Sequence, residues 1–483
     1  MKKRLIFGFV GKFLMLESAL MILPLIVGII YGEYRGANVF IITALITAFA
    51  GFLMHLATPE NTELYAKEGL AIIGLVWVMW SLFGALPFFI SREIPNYIDC
   101  VFETVSGFTT TGATILTDIE SLSYCMHFWR SFTHWIGGMG VLIFAMAIIP
   151  VASKNSLHLM RAEVPGPAVS KLVPRGMSNA KILYGIYLGL CVLEFIFLVC
   201  GGMPVFDSII HTFSTAGTGG FSCKAASIAA YNSPYIEWVI TVFMFLFSIN
   251  FNMYFFMLIR KFKNILHNSE WKVFTLIVVV ATAMIAISTA NLYTDISTNI
   301  RTSAFQVVSI ISTTGFSTTD FDVWGGFAKM LILILMMIGA CAGSTGGGLK
   351  VSRVMIMAKS AIKSIRDLVR PNSVSNIKID GKTVDAETVK GVSGYFLVFI
   401  GAFTVSLFLV SLNNLNVDET VSAVTTCFNN IGPGFSSLGP TGNFHDISFL
   451  SKIVLSFDML LGRLEMFPIL LLFVPSIWKR KFI

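Results

Sequence analysis

The sequence predicts an all-α polytopic membrane protein, with four helix–pore loop–helix repeats around one pore plus two extra N-terminal transmembrane helices. Three observations predict it. Of 483 residues, 55% are hydrophobic and 13% charged, and the mean hydropathy is +0.78; a soluble domain carries about 25% charged residues. Apolar runs able to cross a bilayer, which takes about 20 residues, alternate with runs of roughly half that length that end in small hydroxyl residues and glycine. Those glycine-bearing ends recur four times, roughly 100 residues apart, and internal repetition of this kind sets the architecture.

The elements follow in order. Met1-Lys2-Lys3-Arg4 opens like a signal peptide, but no small-residue cleavage site follows and the apolar run is long, so a retained first helix is expected. Residues 5–30 and 39–57 form the extra pair, within 1–67. The first repeat, 68–160, holds an outer helix at 70–90, a pore helix at 99–108 and an inner helix at 127–150. The second, 161–262, holds 182–200, 207–215 and 235–259; the third, 263–370, holds 273–290, 300–311 and 327–357. The fourth, 371–483, holds 392–412, 418–427 and 449–477. Ten spanning helices and four pore helices are therefore expected.

Charge placement supports this order. Most of the 34 Lys and Arg fall in alternate links, above all 151–181 and 350–390, and basic links mark the cytoplasmic side. Both termini are then cytoplasmic, and the pore loops enter from outside. The net charge of +7 thus reflects topology, and no nucleic-acid partner is expected. Asp99, Asp207 and Asp418 stand near three pore-helix starts, where a carboxylate complements the positive helix end. Seven cysteines form no CxxC pair, which argues against a disulfide framework or zinc site.

The short runs carry the chemistry. A segment such as 305–311 can enter a membrane, turn on a glycine and return, and such irregular backbone needs surrounding protein or a water-filled cavity. Aligned on glycine, the four stretches read Thr109-Thr110-Thr111-Gly112, Gly217-Thr218-Gly219-Gly220, Ser312-Thr313-Thr314-Gly315 and Ile431-Gly432-Pro433-Gly434, and three continue as Phe-Ser. A cation leaving water needs oxygens in place of its hydration shell, and backbone carbonyls supply them without a fixed charge. Glycine lets carbonyls turn inward and four backbones approach one axis. Thr110, Thr111, Gly112, Thr218, Gly219, Gly220, Thr313, Thr314, Gly315, Ile431, Gly432 and Gly434 are the candidate cation-binding residues.

The third inner helix is interrupted by Gly339-Ala340-Cys341-Ala342-Gly343-Ser344-Thr345-Gly346-Gly347-Gly348-Leu349-Lys350, whose glycines should break it. It is not a phosphate-binding loop, because Leu349 separates Gly348 from Lys350 and spoils GxxxxGK[ST]. Gly343, Ser344, Thr345, Gly346, Gly347, Gly348 and Lys350 form a candidate gate below the filter; the alternative is a glycine-rich packing patch. Arg463 lies deep in the last apolar helix, where it must find carbonyls, a carboxylate or water. Glu465 faces away from it and Asp458 is poorly aligned, which leaves carbonyls freed at residues 340–343, or a side chain that snorkels to the inner surface. Residues 353–370 read as a basic amphipathic helix ended by Pro371, and 377–384 as a hairpin on an Asp-Gly turn. With residues 154–181, this link is the expected docking place for a soluble partner.

The four pore-loop repeats, a first filter reading TTTGAT and the AGSTGGGLK stretch resemble the Trk/Ktr/HKT superfamily of potassium transporters over essentially the whole chain. The extra helix pair and Gly137-Gly138-Met139-Gly140 look most like the Trk branch. The resemblance implies potassium uptake across the inner membrane, a homodimer with one pore per protomer, and a cytosolic nucleotide-binding RCK subunit as regulatory partner. It matches Gly112, Gly220, Gly315 and Gly434 to filter glycines, residues 343–350 to an intramembrane gating loop, and Arg463 to an arginine facing that loop. It implies no bound cofactor, potassium being cargo and nucleotide reaching only the partner. It leaves open a sodium-dependent Ktr type.

Two rival functions fit the sequence less well. A coupled secondary transporter would use intramembrane carboxylates, but Glu194, Glu237, Asp458 and Glu465 do not occupy repeat-related positions. A membrane enzyme would need partners for His134 and Arg130, and no paired acid, nucleophile or metal cluster joins them.

Overall fold

The structure, a computed structural model, describes residues 3–58, 66–140, 176–371 and 376–478. Among them, six helices are long and apolar enough to cross a membrane: Lys3–Ile30, Tyr34–Leu56, Glu68–Ser91, Lys181–Cys200, Ser269–Ser288 and Ala386–Ser411. They are the N-terminal pair and the four outer helices of the sequence reading. Leu45, Phe49, Leu397 and Phe408 on their outward faces are exposed, as bilayer-facing side chains are. The N-terminal pair crosses at Gly11 and Gly51, each placed where a Cβ would meet the other's carbonyl oxygen. Small residues allow that close approach of membrane helices.

Four short helices, Tyr97–Phe108, Val205–Gly217, Ile296–Ile311 and Val417–Phe428, match the expected pore helices. Their starts satisfy the orphan amides of a first turn. Asn96 accepts from Ile98 N at 3.0 Å, Asp295 from Thr298 N at 2.9 Å, and Glu419 from Asn416 N at 3.1 Å. Asp99, Asp207 and Asp418 all lie in first turns. Lys452 pairs with Asp99 at 2.7 Å and ties the last inner helix to the first short helix.

The inner helices depart from expectation. None of the four runs unbroken: Tyr124–Gly138, Pro234–Phe247, Gly326–Ile338 and Phe449–Arg463 span 15, 14, 13 and 15 residues. Ten unbroken spans are therefore not formed, and the third inner helix is no exception among its siblings. The second resumes as Phe251–Leu258 after a bend of 89°, the third as Val351–Val369 and the fourth as Phe467–Leu472. Local features mark three of the stops. The first runs into Gly137-Gly138-Met139-Gly140. The second meets Asn250, whose side chain caps the following helix by accepting from Asn252 N at 2.9 Å. In the fourth, Glu465 and Met466 both take positive φ. The expected continuation of the first inner helix to 150, and the link 154–181 as far as residue 175, lie outside the described residues.

The amphipathic helix Val351–Val369 stops before Pro371, as expected. In the hairpin, Lys378 pairs with Thr383 and Ile379 with Lys382. Asp380 and Gly381 both have positive φ, which a two-residue type I′ turn demands.

Candidate ion pathway

Each short helix ends in the same motif. In the four copies, Thr110, Thr218, Thr313 and Asn430 adopt left-handed backbone, with φ of 54°, 56°, 60° and 56°. Their N–H groups reach three residues back: to Gly107 O at 3.1 Å, Thr215 O at 2.9 Å, Ile310 O at 3.0 Å and Cys427 O at 3.4 Å. The next N–H reaches five back: Thr111 to Ser106 O at 2.9 Å, Gly219 to Ser214 O at 2.8 Å, Thr314 to Ser309 O at 2.9 Å and Ile431 to Thr426 O at 3.0 Å. That pair of bonds is the Schellman C-cap, usually built on glycine. A threonine in left-handed backbone costs about 1–2 kcal/mol. Such strain persists only where surrounding structure over-determines it.

Two residues further on stands a glycine of positive φ: Gly112 at 83°, Gly220 at 77°, Gly315 at 86° and Gly432 at 105°. These four close a ring. A Cβ on Gly112 would collide with Gly219 O, one on Gly220 with Thr314 O, and one on Gly315 with Ile431 O. One on Gly432 would lie 2.8 Å from Thr111 O, which returns to the start. Each glycine therefore makes room for the carbonyl that precedes the next repeat's glycine. Four uncharged oxygens, one per repeat, gather in equivalent places. A cavity of about 120 Å3 opens on the ring and is lined by Gly112, Gly220, Gly315 and Gly432.

The fourth member of the ring is Gly432, so the alignment on Gly434 is corrected by two residues. Matching the Phe-Ser tail misled it, because the backbone is in register at the left-handed residue and at the glycine two positions on. Gly434 has no positive φ, and its N–H donates to Leu438 O at 2.6 Å. The other filter candidates lie in the ring segments. Asn430, part of the fourth stretch but not among the candidate binding residues, takes the fourth left-handed position, where asparagine is better tolerated than most residues. It donates to Thr111 Oγ1 and to Met459 O, both at 2.9 Å, and so ties the fourth segment to the first.

Buried polar side chains hold the ring from behind. Glu103, His211 and Gln306 each stand three residues before the carbonyl of the long Schellman bond. Glu103 accepts from Thr114 Oγ1 and Ile115 N, both at 3.0 Å. His211 Nε2 bonds Ser222 Oγ at 3.0 Å, and Gln306 Nε2 donates to Thr319 O at 3.3 Å. Arg130 pairs with Glu103 at 2.6 Å, donates to Ser222 O at 3.0 Å and covers the Phe221 ring at 3.5 Å. His134 stacks on the same ring at 4.1 Å. Arg130 and His134 are thus packed behind the ring segments, with no catalytic partner among the described residues they contact. The position three residues before the long Schellman carbonyl, shared by Glu103, His211 and Gln306, could have found those three.

The glycine-rich segment lies directly against the ring segments. Gly347 N donates to Thr313 Oγ1 at 2.6 Å, and a Cβ on Gly346 would lie 2.8 Å from Ser312 O. Lys350 is buried and donates to Gly346 O. Arg463 donates to Thr345 O at 2.6 Å, to Gly138 O at 2.8 Å and to Gly137 O. Of the two sequence readings for Arg463, carbonyl capture is the one formed, with Thr345 rather than residues 340–343 as the loop's acceptor. Thr345 N in turn donates to Phe247 O at 3.4 Å. Carbonyls freed at the first, second and third inner-helix breaks are therefore met by the Arg463 side chain and by the Thr345 amide, as backbone at membrane depth must be. Glu465 pairs with Arg353, whose guanidinium lies 4.0 Å from the Tyr395 ring centroid.

A family model for TrkH, described as a cation transport protein, matches residues 35–480. The chain belongs to the TrkH family. TrkH family members similar to it include the Trk system potassium uptake protein TrkH of Salmonella typhimurium, 36% identical with 99% of each chain covered. The Escherichia coli protein of the same name is 35% identical over 99% of each chain, and TrkG of Escherichia coli 31% identical over 97% of each. Among solved structures, the crystal structure of the potassium transporter TrkH from Vibrio parahaemolyticus superposes with a TM-score of 0.89. It is 32% identical and covers 99% of this chain and all 100% of that one. The chain is a multi-pass membrane protein of a transport family, and not an enzyme.

Proposed function

We propose that this chain takes up potassium across the cytoplasmic membrane through the ring of Thr111, Gly219, Thr314 and Ile431 carbonyls. The observation that carries the reading is the closed four-fold contact of glycine with neighbouring carbonyl. Alternating signs of φ turn successive N–H groups to one side of the backbone and leave carbonyls on the other. Four such segments replace water around a dehydrated cation without binding it as tightly as carboxylates would. The membrane potential drives the ion inward with about 2.3 kcal/mol per charge per 100 mV. The relatives' names as potassium uptake proteins support the choice of ion.

Residues 343–350 are the gate, held under the ring, and Arg463 adds a fixed positive charge beside it. A second cavity, of about 110 Å3, is lined by Gly346, Gly347, Lys350 and Arg463 and leaves the loop room to move. The four repeats keep the divisions 68–160, 161–262, 263–370 and 371–483, behind the 1–67 pair. The assembly is a homodimer with both termini cytoplasmic. A nucleotide-binding RCK subunit docks on the basic links, and the word "system" in the relatives' names fits more than one component.

The test is growth of a potassium-uptake-deficient host at low potassium, with sodium varied. The parent chain restores growth; Gly315→Ser, which blocks the place of Ile431 O, restores it only where sodium is low. Equal sodium tolerance of the two removes the filter assignment.

A further inference from the structure

We infer that Glu270 is a positioning residue of the gate: its carboxylate clasps both ends of the glycine-rich loop and holds the loop beneath the ring. This rests on the gate reading above.

Glu270 stands in the first turn of the third outer helix and is 8% exposed. One oxygen, Oε1, accepts from Ala342 N at 2.7 Å and from Ser352 N at 3.0 Å. The two amides are ten positions apart in the chain, on opposite sides of the loop's neck. Val351 N donates to Ala340 O at 3.1 Å and closes the neck beside them. Everything between, including Gly346 and Gly347 under Ser312 and Thr313, projects as a loop whose ends meet on one carboxylate. Hydrogen bonds to a carboxylate are about twice as strong as neutral ones. The clasp is therefore the strongest tie at the neck, and it comes from a helix outside the loop's own chain segment.

The place is also open to rearrangement. A cavity of about 670 Å3 borders Glu270, Ala342 and Ser352, so the neck can part without displacing packed core. Its far wall is the hairpin, and Asp380 at the hairpin tip accepts from Ser269 N at 2.6 Å, the residue before Glu270. A movement of the hairpin is thereby one hydrogen bond and one peptide link from the clasp. The design is a lever: the hairpin positions the start of the outer helix, the helix positions Glu270, and Glu270 sets the loop.

The experiment uses the full chain in proteoliposomes without any partner, with potassium flux and maleimide labelling of native cysteines as paired readouts. Cys341 lies at the loop's neck, beside Ala342, and Cys427 in the fourth short helix, and both are fully buried. Glu270→Ala raises flux about tenfold, as loss of roughly 1.4 kcal/mol of closure implies. It also speeds labelling of Cys341 and leaves Cys427 at the parent rate. Glu270→Gln falls between alanine and the parent, at about threefold, because its amide oxygen still accepts from both N–H groups but without the charge that doubles their strength. Glu270→Asp, too short to reach both amides, shifts in the same direction as alanine and serves as the reading if the alanine variant does not insert. Unchanged flux and Cys341 labelling in the Ala and Asp variants overturn the clasp, as does Cys427 labelling that rises together with Cys341. A variant lacking Gly346 to Gly348 separates the two ideas. If it raises flux while Glu270→Ala does not, the clasp alone is wrong; if neither does, the gate reading falls with it.

Discussion

Alanine at Gly432 and alanine at Gly434 should behave as opposites, although the two glycines are equivalent candidates in the sequence. Gly432 has φ of 105°, where an L residue is strained, and left-handed backbone costs such a residue about 1–2 kcal/mol. A Cβ there would lie 2.8 Å from Thr111 O and 3.1 Å from Gly112 C. Both neighbours are backbone and neither can rotate away, so the first ring segment must shift. Gly434 carries no such angle. Its Cβ would lie 3.0 Å from Ser422 Oγ, a hydroxyl that can turn, and 3.3 Å from Leu438 O. If the displaced ring loses even about 1.4 kcal/mol of preference between potassium and sodium, selectivity drops about tenfold. Potassium flux into proteoliposomes with competing sodium measures it, with size-exclusion profiles to confirm intact protein. Gly432→Ala is expected to lose about tenfold, and Gly434→Ala to stay within about twofold. Equal losses, or the reverse order, would refute the register of the fourth segment and with it the closed ring.

Two further outcomes follow from charged side chains held within the fold. Arg463→Met keeps length and removes the donor to Thr345, Gly137 and Gly138; bonds to a charged group are worth about 1.5–3 kcal/mol. Basal flux without a partner should rise about tenfold or more, and parental flux would mean that Arg463 does not guard the path. Arg130→Met strands Glu103, which is 1% exposed and paired at 2.6 Å, a loss of about 3–5 kcal/mol. Detergent-solubilised protein should melt well below the parent, and adding Glu103→Gln should recover part of the loss; melting at the parent temperature would show that the pair does not brace the filter.

Much of the fold was legible because lipid and local backbone rules act on short windows. An outer helix such as Ala386–Ser411 shows itself by length and hydropathy, since both reflect the bilayer directly. The short helices end where apolar sequence gives way to Thr, Ser and Gly, and the Asp380-Gly381 turn carries its hairpin by backbone angle alone. Arg463 stood out because charge at that depth demands a partner. The fourth ring segment was misread because side-chain identity, Gly-Phe-Ser, was matched in place of backbone requirement. A left-handed residue followed two positions later by glycine fits Asn430 and Gly432, and that spacing was present to be read.

The inner-helix breaks were hidden for a different reason. Phe243 to Phe256 is nearly all apolar, yet the helix turns by 89° within it. Hydropathy reports what side chains face, whereas a break is decided by whether freed N–H and C=O groups find partners. Here those partners come from other repeats: Phe247 O takes Thr345 N from the third, and Gly138 O takes Arg463 from the fourth. No window of sequence contains such pairs. The same fact has a mechanical consequence. Because Phe247 O and the Arg463 guanidinium both bond Thr345, the loop cannot leave the ring without freeing these groups on the second and fourth inner helices, and they need water to replace it. Opening should therefore wet the cavity beside Arg463, so that gate movement and hydration of the ion's path occur as a single event.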